Sequence, residues 1–243
     1  MQDKLKTEYL WGIDAGKSPP IARIARINMF LHKDGGSRIY FADALDKALL
    51  IEKGIEDELK RDREELREAI IDSKQPLFDV FLTNPPFAMR YEKKKPHEKR
   101  ILEQYEQGYK DEERLEMRAS VKSAVMFLER YYDLLKPNGR LLTVMDESIL
   151  NTESNKPFRD YIKKKFIIKA VISLPPNAFV KAESTVRTSV LYLKKKEKPA
   201  ESQPKAFMAI SNNVGHNDTG KESPELNDLP EILNKFLIFE NEG

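Results

Sequence analysis

The sequence predicts an α/β protein with a mostly parallel sheet, and three observations predict it. Short apolar runs recur at Tyr9–Ile13, Arg38–Ala42, Phe78–Thr83, Arg140–Met145 and Ile167–Leu174. Stretches of helical periodicity separate them. Acids or turn residues stand where several of the runs end, as at Asp14, Asp43 and Asn84. Strands that alternate with helices close by right-handed crossovers into a parallel sheet.

The elements follow in order. Tyr9–Ile13 is nearly all apolar, which suits a strand buried on both faces. Ser18-Pro19-Pro20 is a helix start, because serine can cap and proline is tolerated in the first turn. Ile21, Ile24, Ala25, Asn28, Met29 and Leu31 continue it at helical spacing until Gly35-Gly36 breaks it. Ala44–Lys74 is rich in Glu, Lys, Arg and Leu and reads as a solvent-facing helix whose charges form a solvated face, ended by Pro76. Arg90–Arg118 is a long charged stretch carrying Tyr91, Tyr105 and Tyr109, and it interrupts the alternation as an insertion or lid. Val121–Leu135 is amphipathic and Lys136-Pro137-Asn138-Gly139 closes it as a C-cap turn. A short basic helix, Phe158–Phe166, precedes the strand at Ile167. Only the Pro175-Pro176 loop separates Ile167–Leu174 from the run Thr185–Leu193, so no crossover helix fits and this last strand is expected to be antiparallel. After Lys194-Lys195-Lys196 the chain is polar, then offers a short helix near Leu229–Phe236.

Composition narrows the function classes. The chain has 243 residues, 40% hydrophobic and 34% charged, the proportions of a globular protein with a heavily charged surface. A net charge of +2 gives no global field toward a polyanion, so any nucleic-acid contact must rest on local patches. With no cysteine and only His32, His97 and His216, widely scattered, no disulfide and no metal site are expected. No apolar run suits a membrane span and the first residues lack a signal-peptide core, so a cytoplasmic protein without a membrane partner is expected.

Two acids and one tetrapeptide carry the chemistry. An acid directly after a parallel strand sits at the carboxyl edge of the sheet, where open α/β folds bind ligands. Asp14 could accept from both ribose hydroxyls of a nucleoside-containing cofactor, and Asp43 could accept from its adenine amine. Either acid also serves as an ordinary cap or loop residue. Asn84-Pro85-Pro86-Phe87 is the sharpest feature: two prolines fix the backbone and withhold two N–H donors. The Asn84 amide oxygen and the Pro85 carbonyl can then grip one amino group, weakening its conjugation with a ring and raising its nucleophilicity. Phe87 offers a face on which a planar base stacks. A rigid turn with a buried Phe is the plain alternative.

At this point the chain resembles the adenine-N6 DNA methylases, in particular the modification (M) subunits of type I restriction-modification systems. Asn84-Pro85-Pro86-Phe87 after Asp79-Val80-Phe81-Leu82-Thr83 is similar to their catalytic motif. Trp11-Gly12-Ile13-Asp14 with Ile24 to His32, the helix, turn and strand over Ala124–Leu142, Leu174 to Phe179 with Thr185 to Leu191, and Val214 to Gly220 extend the resemblance over about residues 8–240. It implies a Rossmann-like S-adenosylmethionine-dependent methyltransferase sheet in a single domain-type segment over 1–243, with a core about 8–196, the charged insertion about 90–118 and a carboxyl extension about 197–243. It implies S-adenosylmethionine as cofactor, held by Asp14 at the ribose and Asp43 at the adenine. Asn84, Pro85, Pro86 and Phe87 become catalytic, and Phe87 and Phe179 stack on a flipped target adenine. Double-stranded DNA is the implied substrate, with Lys93, Lys94 and Lys95 as the best placed phosphate contacts.

One departure qualifies this. The family's glycine-rich cofactor loop, Phe-x-Gly-x-Gly, occurs nowhere in the chain, and only Met1 to Glu8 precede the first strand. The strand belonging to that loop would be central, between Tyr9–Ile13 and Phe78–Thr83, so its absence implies a gap or a direct pairing of the two. The expectation is the carboxyl part of a methylase, poor at binding S-adenosylmethionine and inactive alone, partnered by an amino-terminal methylase segment or a specificity subunit. Protein-glutamine or RNA methylation, which use the same chemistry, and a non-catalytic DNA-binding scaffold remain the alternatives.

Overall fold

The computed structural model describes residues 10–15, 21–34, 38–51, 56–73, 77–182, 184 and 186–242. Ser18–Pro20, Gly35-Gly36 and Pro76, read above as a helix start and two breaks, lie outside the described residues, as does Tyr9. The chain divides into two compact units, Met1–Gln75 and Pro76–Gly243.

In the first unit, β1 (Trp11–Asp14) and β2 (Arg38–Phe41) form a two-stranded parallel sheet on either side of α1 (Ile21–Leu31) in sequence, with Asp14 opposite Phe41. β1 is half-buried throughout rather than buried on both faces. The segment read as one solvated helix over 44–74 divides: Asp43 and Asp46 make turns by accepting from the amides of Leu45 (2.9 Å) and Ala48 (3.0 Å), and α2 begins only at Asp57. α2 (Asp57–Leu66) runs on into a π-helical turn, Arg67–Asp72, and buries Leu66 and Ile70. Its charges are not all solvated. Asp62 is buried and accepts from the Phe41 amide (2.7 Å) and from Arg26 (2.5 Å), whose guanidinium also reaches the Ile39 carbonyl (2.7 Å) and Glu58 (2.8 Å). Heptad-free charge counting misses such a pair, because a buried carboxylate with matched donors looks like any other Asp in composition.

The second unit holds β3 (Phe78–Thr83), the hairpin strands β4 (Arg90–Glu92) and β5 (Ser120–Lys122), with α3 (Pro96–Leu102) between them, then α4 (Ser123–Leu134) and β6 (Leu135–Asp146). α5 (Glu147–Asn151), α6 (Lys156–Lys165), β7 (Phe166–Ser173), β8 (Thr188–Lys195), β9 (Phe207–Ile210) and α7 (Leu229–Glu242) complete it. The main sheet has the order β3-β6-β8-β7-β9. β3 is parallel to β6 and β7 to β9, while β8 runs antiparallel to both of its neighbours, the direction expected from the sequence, although the connection from Ser173 to Thr188 is longer than Pro175-Pro176 alone. β9 was not foreseen, since four residues in a polar stretch give too short a pattern, and α7 reaches six residues beyond the expected Phe236. Among the described residues β1 and β2 pair with each other in the first unit, and β3 stands at the edge of the second unit's sheet.

Two local readings change. Lys136–Gly139 does not cap α4; the chain enters β6 at Leu135, and the register jumps from Phe78 opposite Leu135 to Val80 opposite Arg140. The four residues bulge from the ladder, with Asn138 at φ 64°, a conformation asparagine tolerates better than most residues. The end of α4 is served by Lys195, whose Nζ donates to the carbonyls of Tyr132 (2.6 Å) and Leu135 (2.7 Å). The charged stretch 90–118 is a packed substructure, with Tyr91, Ile101, Leu102 and Tyr105 buried and Glu129 of α4 accepting the amides of Glu106 (2.9 Å) and Gln107 (3.0 Å).

Candidate active site

β3 and β6 point their carboxyl ends the same way, with Thr83 opposite Thr143, so the loop after β3 and Asp146 at the end of β6 share one sheet edge. The loop Asn84–Phe87 is held at both ends by α4. Thr83 Oγ1 meets the Tyr131 hydroxyl at 2.5 Å, the buried Ser123 hydroxyl donates to the Pro86 carbonyl (3.0 Å), and the Ser123 amide donates to the Met89 carbonyl (2.9 Å). Burial pushes the Tyr131 phenol above its ordinary value, so that hydroxyl stays protonated. Pro85 is buried, whereas Asn84 is exposed, and among the described residues neither the Asn84 side chain nor the Pro85 carbonyl has a hydrogen-bond partner. The two acceptors that the sequence singled out are therefore the two left unused, while the third carbonyl of the loop is consumed in bracing it.

Phe87 and Phe179 come together from loops 92 positions apart, with ring centroids 5.7 Å apart at an interplanar angle of 69°. Phe179 lies in the turn after Pro175-Pro176, which is tied to the Val214–Gly220 segment. Asn177 donates to Asp218 (2.9 Å), His216 Nε2 lies 3.4 Å from the Ala178 carbonyl, and Lys181 pairs with Glu222 (3.1 Å). Gly220, at φ 78°, leaves room against Lys181 and Val180 that a Cβ would contest at 3.1 and 3.5 Å.

Sequence reasoning missed the pair at the end of β6. Asp146 caps α5 by accepting from the Ser148 amide (2.7 Å) and is bridged by Lys122 (2.6 Å), which also donates to Ser148 Oγ (2.8 Å). Burial acts to raise the Asp146 carboxyl, but the Lys122 ammonium and the Ser148 donors outweigh it and hold it below the usual carboxylate range. The signal was available: Asp146 follows an apolar strand just as Asp14 and Asp43 do. Lys122 directly precedes Ser123, so adjacent residues hold Asp146 and brace the Asn84 loop.

Of the lysines proposed for phosphate, Lys94 pairs with Glu92 and Lys95 with Glu98, both at 3.0 Å, while the Lys93 amide joins the hairpin by donating to the Ala119 carbonyl (2.9 Å). In the first unit, Asp14 ends β1 and Asp43 follows β2 by two residues, on adjacent parallel strands. Two carboxylates at neighbouring strand ends are the acceptor set that a nucleoside's ribose and amine require, so these residues fit that half of the cofactor. One Asp43 oxygen already serves the Leu45 amide.

A mixed sheet with an Asn-Pro-Pro-aromatic loop at the carboxyl end of a parallel strand defines a Rossmann-like fold of the S-adenosylmethionine-dependent methyltransferase class. Solved structures agree. A structure of a type I restriction-modification system aligns over 100% of this chain and 42% of its own, with a TM-score of 0.65 and 17% identity. The methyltransferase subunit of the type I system of Streptococcus thermophilus aligns over 94% and 42%, with a TM-score of 0.61 and 19% identity. A Listeria monocytogenes protein described provisionally as a class I S-adenosylmethionine-dependent methyltransferase aligns over 97% and 66%, with a TM-score of 0.52 and 16% identity. No curated protein matches. The chain belongs to the N-6 DNA methylase family, whose model matches residues 1–242. It spans about two fifths of the first restriction-modification structures that it resembles, 42% of the one and 42% of the other named here. No described helix is long and apolar enough to cross a membrane.

Proposed function

We propose that this chain carries the catalytic and carboxyl part of a DNA adenine-N6 methyltransferase of a restriction-modification system, acting in the cytoplasm on double-stranded DNA together with further methylase or specificity subunits. The observation that carries the reading is the Asn84 loop, braced by Ser123 at the Pro86 carbonyl and by Tyr131 at the Thr83 hydroxyl, with the Asn84 amide oxygen and the Pro85 carbonyl unpartnered among the described residues.

S-adenosylmethionine, when bound, supplies an electrophilic methyl group; Asp14 and Asp43 are the residues of this chain suited to its ribose and adenine. The chain's own residues act on the acceptor base. Asn84 Oδ1 and the Pro85 carbonyl accept the two N–H bonds of the exocyclic amine, turning its lone pair toward the donor rather than into the ring. Phe87 stacks on the base, and Phe179 gives a second aromatic wall once the base has left the helix. No strong base is required, because the proton is shed after the nitrogen has become cationic. The Pro85-Pro86 backbone holds the acceptors in place before the substrate arrives, so little reorganisation is needed at the moment of reaction.

Transfer of a radiolabelled methyl group to DNA, RNA and a glutamine-containing release-factor protein tests the reading, with and without an added amino-terminal methylase segment carrying the glycine-rich loop. Label is expected in adenine of DNA, and only when that segment is present. Label in protein or RNA instead would redirect the assignment. Salt-sensitive DNA binding unchanged by Asn84→Ala, with no transfer in any arm, would leave a scaffold.

A further inference from the structure

A cavity of about 390 Å³ in the second unit is lined in part by residues close in sequence to the Asn84 loop and to its brace Ser123, and uses none of the residues assigned to the reaction. Arg90, Arg118, Lys122, Ser120 and Ser154 line it together with Asn155, and no carboxylate does. Its position is fixed by the motif: Arg90 is three residues past Phe87, and Lys122 is followed by Ser123, which holds the Pro86 carbonyl at 3.0 Å.

The charges here are of two kinds. Lys122 is neutralised by Asp146 at 2.6 Å. Arg90 and Arg118 enter no ion pair among the described residues, and Glu92 on the same hairpin is engaged by Lys94 at 3.0 Å. Arg90 directs Nε (3.2 Å) and one terminal nitrogen (3.0 Å) to Ser120 Oγ, which leaves the hydroxyl hydrogen of Ser120 to point elsewhere. Arg118 is anchored through Nε to the Tyr109 carbonyl (3.0 Å), so its terminal nitrogens present a fork of fixed origin. Two guanidinium groups without an ion pair among the described residues, set among serine hydroxyls and with Arg90 acting on Glu92 only at longer range, match a tetrahedral oxyanion better than a carboxylate-bearing peptide, since they offer donors in several directions about one centre.

We infer that this cavity clamps a backbone phosphodiester of the substrate strand, within a nucleotide or so of the base at Asn84. This rests on the nucleic-acid reading above and deepens it. A base held at Asn84 stays tethered through its sugar to flanking phosphates, and the hairpin β4–β5 that follows the motif carries both Arg90 and Ser120 to where such a phosphate must pass. Phosphate contacts of this kind set register and orientation and carry no sequence information.

The test uses a fluorescent DNA duplex and the full chain with Arg90→Gln/Arg118→Gln, Arg90→Lys/Arg118→Lys, and Lys60→Gln/Lys235→Gln, which removes two cations elsewhere. The Gln pair is expected to weaken duplex binding at least about tenfold at moderate salt and to lower the slope of log affinity against log salt by about 1 to 2. The Lys pair should restore the slope, showing that folding is intact, and the distant pair should leave binding near wild type. In parallel, inorganic phosphate should shift the backbone amide NMR signals of Ser120 and Ser154 in the wild type and not in the Gln pair. Duplex binding that the Gln pair leaves unchanged, or that the distant pair weakens equally, overturns the clamp and leaves the methylase reading standing. If the wild type binds no duplex, with or without the amino-terminal methylase segment, while phosphate still shifts Ser120 and Ser154, the nucleic-acid reading fails and the clamp with it, and the cavity belongs to another tetrahedral oxyanion.

Discussion

The Phe87 and Phe179 rings touch edge to face, 5.7 Å between centroids and 69° between planes. An arrangement of this kind is favourable between two aromatic rings by itself, and on the proposed function it occupies the space into which a target base would stack. A planar base between two parallel faces needs twice a stacking distance, so the rings must separate and turn as it enters. Binding of an extrahelical base therefore competes with the ring contact. Phe179→Ala is expected to weaken binding of a duplex with a mismatched or flipped target by about 1–3 kcal/mol, while binding of a fully paired duplex without a target changes little. Fluorescence of 2-aminopurine at the target position reads this; equal loss on both duplexes would remove Phe179 from the base site.

Asn84 and Ser123 act on the same loop at different removes, and their variants should separate. Asn84→Ala deletes an acceptor that is exposed and makes no side-chain bond among the described residues, so stability should hold while methyl transfer, assayed with the complementing amino-terminal segment, falls by about 10²–10³-fold. Ser123→Ala removes a part-buried bond to the carbonyl of Pro86, itself an exposed residue, and should cost about 0.5–1.5 kcal/mol of stability. Its transfer rate should fall less, because only the position of the acceptors is loosened. Denaturant unfolding and single-turnover transfer measured on both variants decide it, and a destabilised Asn84→Ala would contradict the loop geometry.

The Lys122–Asp146 bridge gives the second unit an acid-side dependence. The Asp146 carboxyl is held below its ordinary value of 3.8 in the folded protein, so its contribution is complete above that value and is lost as pH falls through the lower folded value. Asp146→Asn removes the charge and should flatten the decline of stability below about pH 4, while costing about 1–3 kcal/mol near neutrality, where the Lys122 ammonium loses its partner. Urea unfolding from pH 3 to 7 checks this. Parallel curves for the two proteins would mean that the bridge does not couple to folding.

The carboxyl-edge candidates were legible because they sit where local patterns are strongest. Phe78–Thr83 is apolar, β-rich and followed by two prolines, and the structure places that strand at those residues. Asp14 and Asp43 were findable by the same rule, and the rule applied once more would have found Asp146. What stayed hidden depends on partners far apart in sequence. Lys195 reads as the middle of a solubilising lysine run, yet it is buried against Tyr132 and Leu135 and closes the end of α4. Asn138-Gly139 reads as a helix stop, yet the strand begins before it and simply bulges. Tyr105 reads as part of a charged insertion and is fully buried. In each case a short-range signal was correct in kind, a polar turn or a basic run, and the long-range packing decided what it was for.

Arg26 and Asp62 hold the first unit together across its three layers of sequence. Asp62 on α2 is buried and receives the Phe41 amide of β2 (2.7 Å), while Arg26 on α1 adds bonds to Asp62 (2.5 Å), Glu58 (2.8 Å) and the Ile39 carbonyl (2.7 Å). Removing one member of such a pair strands the other, which is costlier than the pair's net worth. Arg26→Ala should destabilise this unit by about 2–4 kcal/mol, and Arg26→Lys should recover only part, since an ammonium cannot reach three acceptors as the planar fork does. Trp11, the single tryptophan, lies on β1 of this unit, so its fluorescence follows the unit's unfolding without a signal from Pro76–Gly243. The expected result is an earlier Trp11 transition in Arg26→Ala; an unmoved transition would mean that the Asp62 carboxylate finds adequate donors without Arg26, the Phe41 amide of β2 among them.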